Sequence, residues 1–178
     1  VHDKGNLLSR TYVKRGNPAE ALASSKYVVK NTYRTPALEH AFIEPESAVA
    51  FYDGDVLTMY VATQSILHDH HEICRVLGLS HDKVRIILQN VGGGFGGKED
   101  LRVQQYAGLG KFYTRKPCKD TFSREESLLC HPKRHAMELE ITTGCDAQGM
   151  LTAMTVKIIA DTGAYASLGA AVLERACT

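Results

Sequence analysis

Five glycines around a single aromatic, Gly92-Gly93-Gly94-Phe95-Gly96-Gly97, followed by Lys98-Glu99, constrain this chain more than any other stretch. Glycine loses the most conformational freedom on folding, so such a run is unsuited to a helix or strand interior. It can instead turn sharply, adopt φ > 0 and let another group touch the backbone. Upstream, Val84-Arg85-Ile86-Ile87-Leu88-Gln89 reads as a buried strand. Downstream, Lys98 to about Tyr113 reads as a helix. A helix starting at the loop would aim free N–H groups and a positive dipole end at an anion.

The loop's spacing alone leaves several readings open. Gly92, Gly94 and Gly97 satisfy the dinucleotide pattern G-x-G-x-x-G. That pattern needs a second strand ending in an acid about twenty residues on. Asp120 falls inside the short candidate strand Pro117 to Phe122 rather than at its end. Gly92, Gly97 and Lys98 match most of a P-loop, but Glu99 stands where Ser or Thr would hold magnesium. A carboxylate there repels phosphate. A turn that only packs would not need five glycines.

At 178 residues the chain makes one domain or two small lobes, and an apolar fraction of 44% is enough for a core. A net charge of +1 gives no basis for nucleic-acid or anionic-membrane binding. No apolar run is long enough to span a bilayer, and no signal peptide is recognisable. Five cysteines without a C-x-x-C pair suggest reduced thiols and a cytoplasmic setting, not a zinc or iron–sulfur site. A chain opening on Val1 and closing on Cys177-Thr178 reads as a piece of a larger polypeptide.

Along the chain, Val1 to Gly16 suggests a strand and a loop. Asn17 is a candidate cap for a helix from Pro18 to about Ser25. Strands are expected at Tyr27 to Tyr33, Phe42 to Tyr52 and Val56 to Ala62, the last two joined by the turn Asp53-Gly54-Asp55. A helix from Ser65 to Leu77 buries Ile66, Ile73, Val76 and Leu77 and turns His68, Asp69, His70, His71 and Glu72 to solvent. His68 and His71 could share a face as metal ligands, but no third ligand is evident, so a solvated face is expected. In the helix after the loop, Leu101, Tyr106 and Leu109 are expected inward, and Arg102, Gln105 and Lys111 outward. Gly108 and Gly110 weaken that helix unless they permit close packing. Ser123 and Glu126 form a capping-box pattern. Met137, Leu139 and Ile141 alternate with polar residues, and Asp146 to Gly149 turns that strand into Leu151 to Ile159.

Gly92 to Glu99 resembles the glycine loop of the xanthine dehydrogenase/aldehyde oxidase family of molybdenum hydroxylases. The resemblance extends to Glu39-His40, Glu44-Pro45-Glu46, Thr63-Gln64, Leu77-Gly78-Leu79, Asp82-Lys83-Val84-Arg85, Asp161-Thr162-Gly163-Ala164-Tyr165 and Leu173-Glu174-Arg175-Ala176. It implies an α+β fold with a mixed sheet and packed helices, residues 1–178 being a fragment of a molybdopterin-binding domain. It implies oxidative hydroxylation of a purine-like N-heterocycle with water as oxygen source. Alternatives are an aldehyde or other N-heterocycle oxidoreductase of the same family, or a dinucleotide-binding module using the Gly92–Gly97 loop. The implied cofactor is molybdopterin with molybdenum, in a dinucleotide form, with FAD and 2Fe-2S on partner subunits or other domains.

Residue by residue, the resemblance assigns Gln64, Gly94, Phe95 and Gly96 to the cofactor's surroundings, and Glu99 with Phe95 to the substrate. Gln64 would bond a molybdenum oxygen ligand, loop N–H groups would meet the cofactor, and Phe95 would shape the entry. Glu99 would accept a purine N–H or, protonated, donate to a ring nitrogen. No residue here is expected to ligate the metal directly. Glu39, His40 and Glu44 are expected to be structural, and Arg85 and Lys98 solvated or supporting. The family's general-base glutamate and substrate-binding arginine lie in regions beyond this chain. The fragment alone is therefore expected to bind cofactor weakly and to be inactive. Expected partners are the rest of the molybdenum subunit, the iron–sulfur and flavin subunits or domains, and a small-molecule substrate, with neither nucleic acid nor membrane.

Overall fold

A computed structural model describes residues 5–178. It divides into two compact units, residues 1–38 with 134–178, and residues 39–133. The α+β reading holds in both.

The first unit contains α1 (Pro18–Ala23), β1 (Tyr27–Thr35), β6 (Ala136–Cys145), β7 (Leu151–Asp161) and α5 (Gly169–Ala176). Its antiparallel sheet has the order β1-β6-β7. The expected β6–β7 hairpin is present, with Met137 opposite Ala160 and Ile141 opposite Val156. Asp146 Oδ1 accepts the Gln148 and Met150 N–H groups, both at 2.9 Å, and closes the turn locally. Two details differ from expectation. Asn17 does not cap α1 by accepting a backbone N–H; its Nδ2 donates to Glu20 Oε2 instead. Of the segment Val1 to Gly16, the first four residues lie outside the described region, and the rest carries no named strand.

The second unit carries β2 (Ser47–Asp53), β3 (Val56–Val61), α2 (Ile66–Leu77), β4 (Val84–Leu88), α3 (Val103–Thr114), β5 (Cys118–Thr121) and α4 (Arg124–Cys130). Its sheet is mixed, in the order β4-β3-β2-β5. β3 and β4 run parallel because α2 carries the chain back between them, whereas β2 pairs antiparallel with β3 and β5. Ala48 and Ala50 of β2, and Leu57, Met59 and Val61 of β3, alternate into the core. Ile73 and Cys74 of α2 and Val103 and Ala107 of α3 close over them.

α3 begins at Val103, not at Lys98. The inward face is that of Val103, Ala107 and Lys111, one residue every four, and Tyr106 is exposed. Lys111 is buried, with Nζ donating to Arg115 O at 2.6 Å. Gly108 and Gly110 do permit close packing. A Cβ on Gly110 would lie 2.5 Å from Cys118 Sγ, and one on Gly108 would touch Leu77. On α2, Ile73 is buried but Val76 is exposed. Ser123 caps α4 as expected: Glu126 N–H donates to Ser123 Oγ and Ser123 N–H to Glu126 Oε2.

Candidate cofactor-binding site

Gln64 lies three residues beyond β3, and its side chain meets the glycine loop end on. Its Oε1 accepts two backbone N–H groups, from Gly96 at 3.0 Å and Lys98 at 3.1 Å. Gln64 N–H in turn donates to Lys98 O at 2.8 Å. Two N–H donors require an oxygen acceptor, which fixes the amide's orientation and leaves its NH₂ to donate elsewhere. The approach is close enough to demand glycine: a Cβ on Gly94 would lie 2.2 Å from Gln64 Oε1.

The back of the loop is held by charge. Glu44 Oε2 accepts from Gly92 N–H and from Lys98 Nζ, both at 2.7 Å. Both donors hold the Glu44 carboxyl below the usual range despite the opposing cost of burial. Lys98 is buried, not solvated, and its ammonium sits 4.6 Å from the Phe42 ring centroid. Phe42 stacks on buried His131, which pairs with Glu39 at 2.7 Å. Glu39 and Glu44 thus brace the loop, in keeping with a structural role. Arg85 is solvated as expected, half-exposed beside Asp53.

Phe95 is the loop's apex. It takes φ = 53°, a left-handed conformation uncommon for a bulky side chain, and is 64% exposed. Plain core packing does not describe it. Among the described residues, neither Phe95 nor Glu99 makes a hydrogen bond or ion pair. Glu99 is half-buried and lies before α3 begins, so it serves no helix terminus.

The helix dipole therefore does not act through this loop, contrary to the sequence expectation. Nor are all the loop N–H groups available to a ligand. Those of Gly92, Gly96, Gly97 and Lys98 are spent on Glu44, Gln64 and Gly94 O. The dinucleotide geometry is not met either. β5, which follows the loop and α3 in the chain, pairs with β2 at the far edge of the sheet and not beside β4, where the dinucleotide unit puts its second strand.

Sequence reasoning missed Asp69, read as solvated. It is fully buried, and Gln104 Nε2 donates to its Oδ2 at 2.9 Å. Burial raises its carboxyl to about 6, against hydrogen bonding from Gln104 and the Thr63 hydroxyl. Gln104 Oε1 accepts Arg102 N–H at 2.7 Å, and the Thr63 hydroxyl, with one proton to share between Asp69 and Lys98 O 3.2 Å away, links the buried carboxyl to the loop. The available signal was position: Asp69 falls three residues after Ile66 and four before Ile73, within the apolar stripe.

The Gln64 amide, an exposed strained aromatic and a carboxylate with no hydrogen bond or ion pair among the described residues thus meet at one glycine loop. The comparisons give the class: a profile of the molybdopterin cofactor-binding domain matches residues 1–178, and the chain belongs to that family. Among its relatives, it is 42% identical over 177 residues to the nicotinate dehydrogenase large molybdopterin subunit of Eubacterium barkeri, covering 99% of this chain and 42% of that protein. It is 40% identical over 175 residues to a probable xanthine dehydrogenase subunit of Bacillus subtilis, covering 98% and 24%. The chain thus spans less than half of either relative.

The fold matches the aldehyde oxidoreductase of Desulfovibrio gigas with a TM-score of 0.82 at 20% identity, over 90% of this chain and 18% of that one. The resemblance to the xanthine dehydrogenase/aldehyde oxidase molybdenum hydroxylases therefore stands. Among the described residues, no helix is long and apolar enough to cross a membrane.

Proposed function

We propose that residues 1–178 form part of the molybdopterin-binding domain of a larger subunit, in a hydroxylase that oxidises a purine-like N-heterocycle. The observation that carries this reading is the exposed Gln64 amide, whose Oε1 is held by two loop N–H groups so that its NH₂ is left to donate. When bound, the molybdenum cofactor supplies the redox chemistry that inserts oxygen from water.

The chain's own residues hold and orient. Gln64 offers a neutral N–H donor to a cofactor oxygen, which adds no charge beside the metal. Gly94 and Gly96 keep the backbone low enough for that approach. Phe95 presents its ring to substrate and narrows the entry to water. Glu99, uncommitted within the described residues, accepts a ring N–H or, when protonated, donates to a ring nitrogen. The general base is expected elsewhere in the subunit. FAD and 2Fe-2S on partner subunits or domains, a dinucleotide form of the pterin and a cytoplasmic location complete the proposal.

A second reading has a specific observation in its favour. The relative at 42% identity is named for nicotinate, a single-ring N-heterocycle. The test is molybdenum content and turnover of hypoxanthine, xanthine, nicotinate and an aldehyde by the intact enzyme, wild type against Glu99→Ala. Purine turnover lost in the variant, with aldehyde turnover and molybdenum retained, supports the purine assignment. Turnover of nicotinate alone replaces the substrate and keeps the family role. Wild-type enzyme without molybdenum overturns the proposal.

A further inference from the structure

Away from the glycine loop, α2 and the turn that follows it gather three metal-ligand side chains. His70 and Cys74 are four residues apart on one face of α2. The helix ends at Gly78, whose φ of 65° reverses the chain, and a short 3₁₀ turn at His81–Lys83 brings His81 back over that face. One ligand atom from each of His70, Cys74 and His81 lies within 4.8 Å of the others. The helical histidines singled out by spacing, His68 and His71, are not the ones assembled.

We infer that His70, Cys74 and His81 form a site for a zinc-like divalent cation, independent of the cofactor loop. Zinc accepts this donor set, with bonds of about 2.0–2.1 Å to nitrogen and 2.3 Å to sulfur, and so holds its ligands roughly 3.5 Å apart. The distance from Cys74 Sγ to His70 Nε2 is 4.0 Å and no pair of the three exceeds 4.8 Å, so side-chain movements of about 0.5 to 1.3 Å close the set. Burial is graded: Cys74 is buried, His70 is half-buried and His81 is exposed at the mouth. The three ligands leave a fourth position for water on the His81 side. The His71 ring stacks on His81 with centroids 5.4 Å apart and limits its freedom.

Binding has a defined cost. His70 Nε2 lies 3.0 Å from His81 O and 3.1 Å from Val84 O. It must exchange its proton and those contacts for the metal, and the Cys74 thiol must release its proton to water. The result is an exchangeable site rather than one the fold depends on.

The test uses the intact enzyme with its partner subunits, stripped by a chelator and titrated with zinc, then with cobalt(II) as an optical probe. Wild type is expected to take up one chelator-exchangeable zinc per subunit, and its cobalt form to show thiolate-to-metal charge transfer. His81→Gln, at the exposed mouth, is expected to weaken zinc binding at least about tenfold. Cys74→Ser should abolish the charge-transfer band, and His68→Gln, outside the cluster, should bind as wild type does. Equal zinc uptake by wild type and His81→Gln overturns the inference. So does a loss with His68→Gln as large as that with His81→Gln. If Cys74→Ser does not fold, the two histidine variants decide the matter.

Discussion

Lys98 Nζ lies 2.7 Å from Glu44 Oε2, yet the two side chains differ sharply in exposure: the lysine is 2% exposed and the glutamate 38%. The pair is therefore asymmetric. Removing Glu44 strands a buried ammonium, whereas removing Lys98 leaves a carboxylate that water can reach. Glu44→Ala should cost about 3 kcal/mol or more, and Lys98→Met roughly 1–2 kcal/mol. Denaturant unfolding of the intact subunit checks the order, and equal costs would refute the asymmetry.

The contact between Gly94 and Gln64 leaves no room for a methyl group, since the added Cβ would sit 2.2 Å from Oε1. Gly94→Ala must displace the glutamine and release the Gly96 and Lys98 N–H groups. We expect cofactor retention to fall roughly 10–100-fold, the usual effect of disturbing groups that orient a metal site. Molybdenum analysis of the purified enzyme reads this, and full retention would count against the role of Gln64.

Phe95 offers a separation of stability from activity. A buried phenylalanine cut to alanine costs about 3–5 kcal/mol. Phe95 is exposed and backbone-strained, so Phe95→Gly should relieve strain and change stability by less than about 1 kcal/mol. Substrate turnover should nevertheless drop. A large loss of stability would return Phe95 to packing.

Asp69 gives a pH signature with a definite sign. Its carboxyl titrates at about 6 folded against a usual 3.8, so the folded state holds the extra proton between these values. Stability from this group is present at low pH and declines as pH rises from about 4 to 6, by up to about 3 kcal/mol in total. Glu39 and Glu44 are lowered and act in the opposite direction, losing their contribution as pH falls. The comparison is therefore wild type against Asp69→Asn at each pH. The variant should lack the decline, and parallel curves would show that Asp69 does not titrate in this window.

Local pattern carried much of this protein. Alternation in Met137, Leu139 and Ile141, followed by Asp146 to Gly149, encoded the β6–β7 hairpin, because a strand's period and an Asp-gated turn are properties of adjacent residues. The Ser123–Glu126 box and the glycine loop were legible for the same reason. The start of α3 was not, because residues 96–98 are held by Gln64 and Thr63, more than thirty positions away in the sequence.

By itself the sequence determined the strands, the hairpins, the glycine loop and the family resemblance. Only the tertiary structure decided which polar groups lie inside. Lys98 and Asp69 have the composition of surface residues, and each is buried because a partner from another segment, Glu44 or Gln104, meets it there. The same holds for His81, brought to His70 and Cys74 by the left-handed turn at Gly78. Apolar periodicity tells which face of an element turns inward, but a charge's place depends on whether distant chain supplies its counterpart.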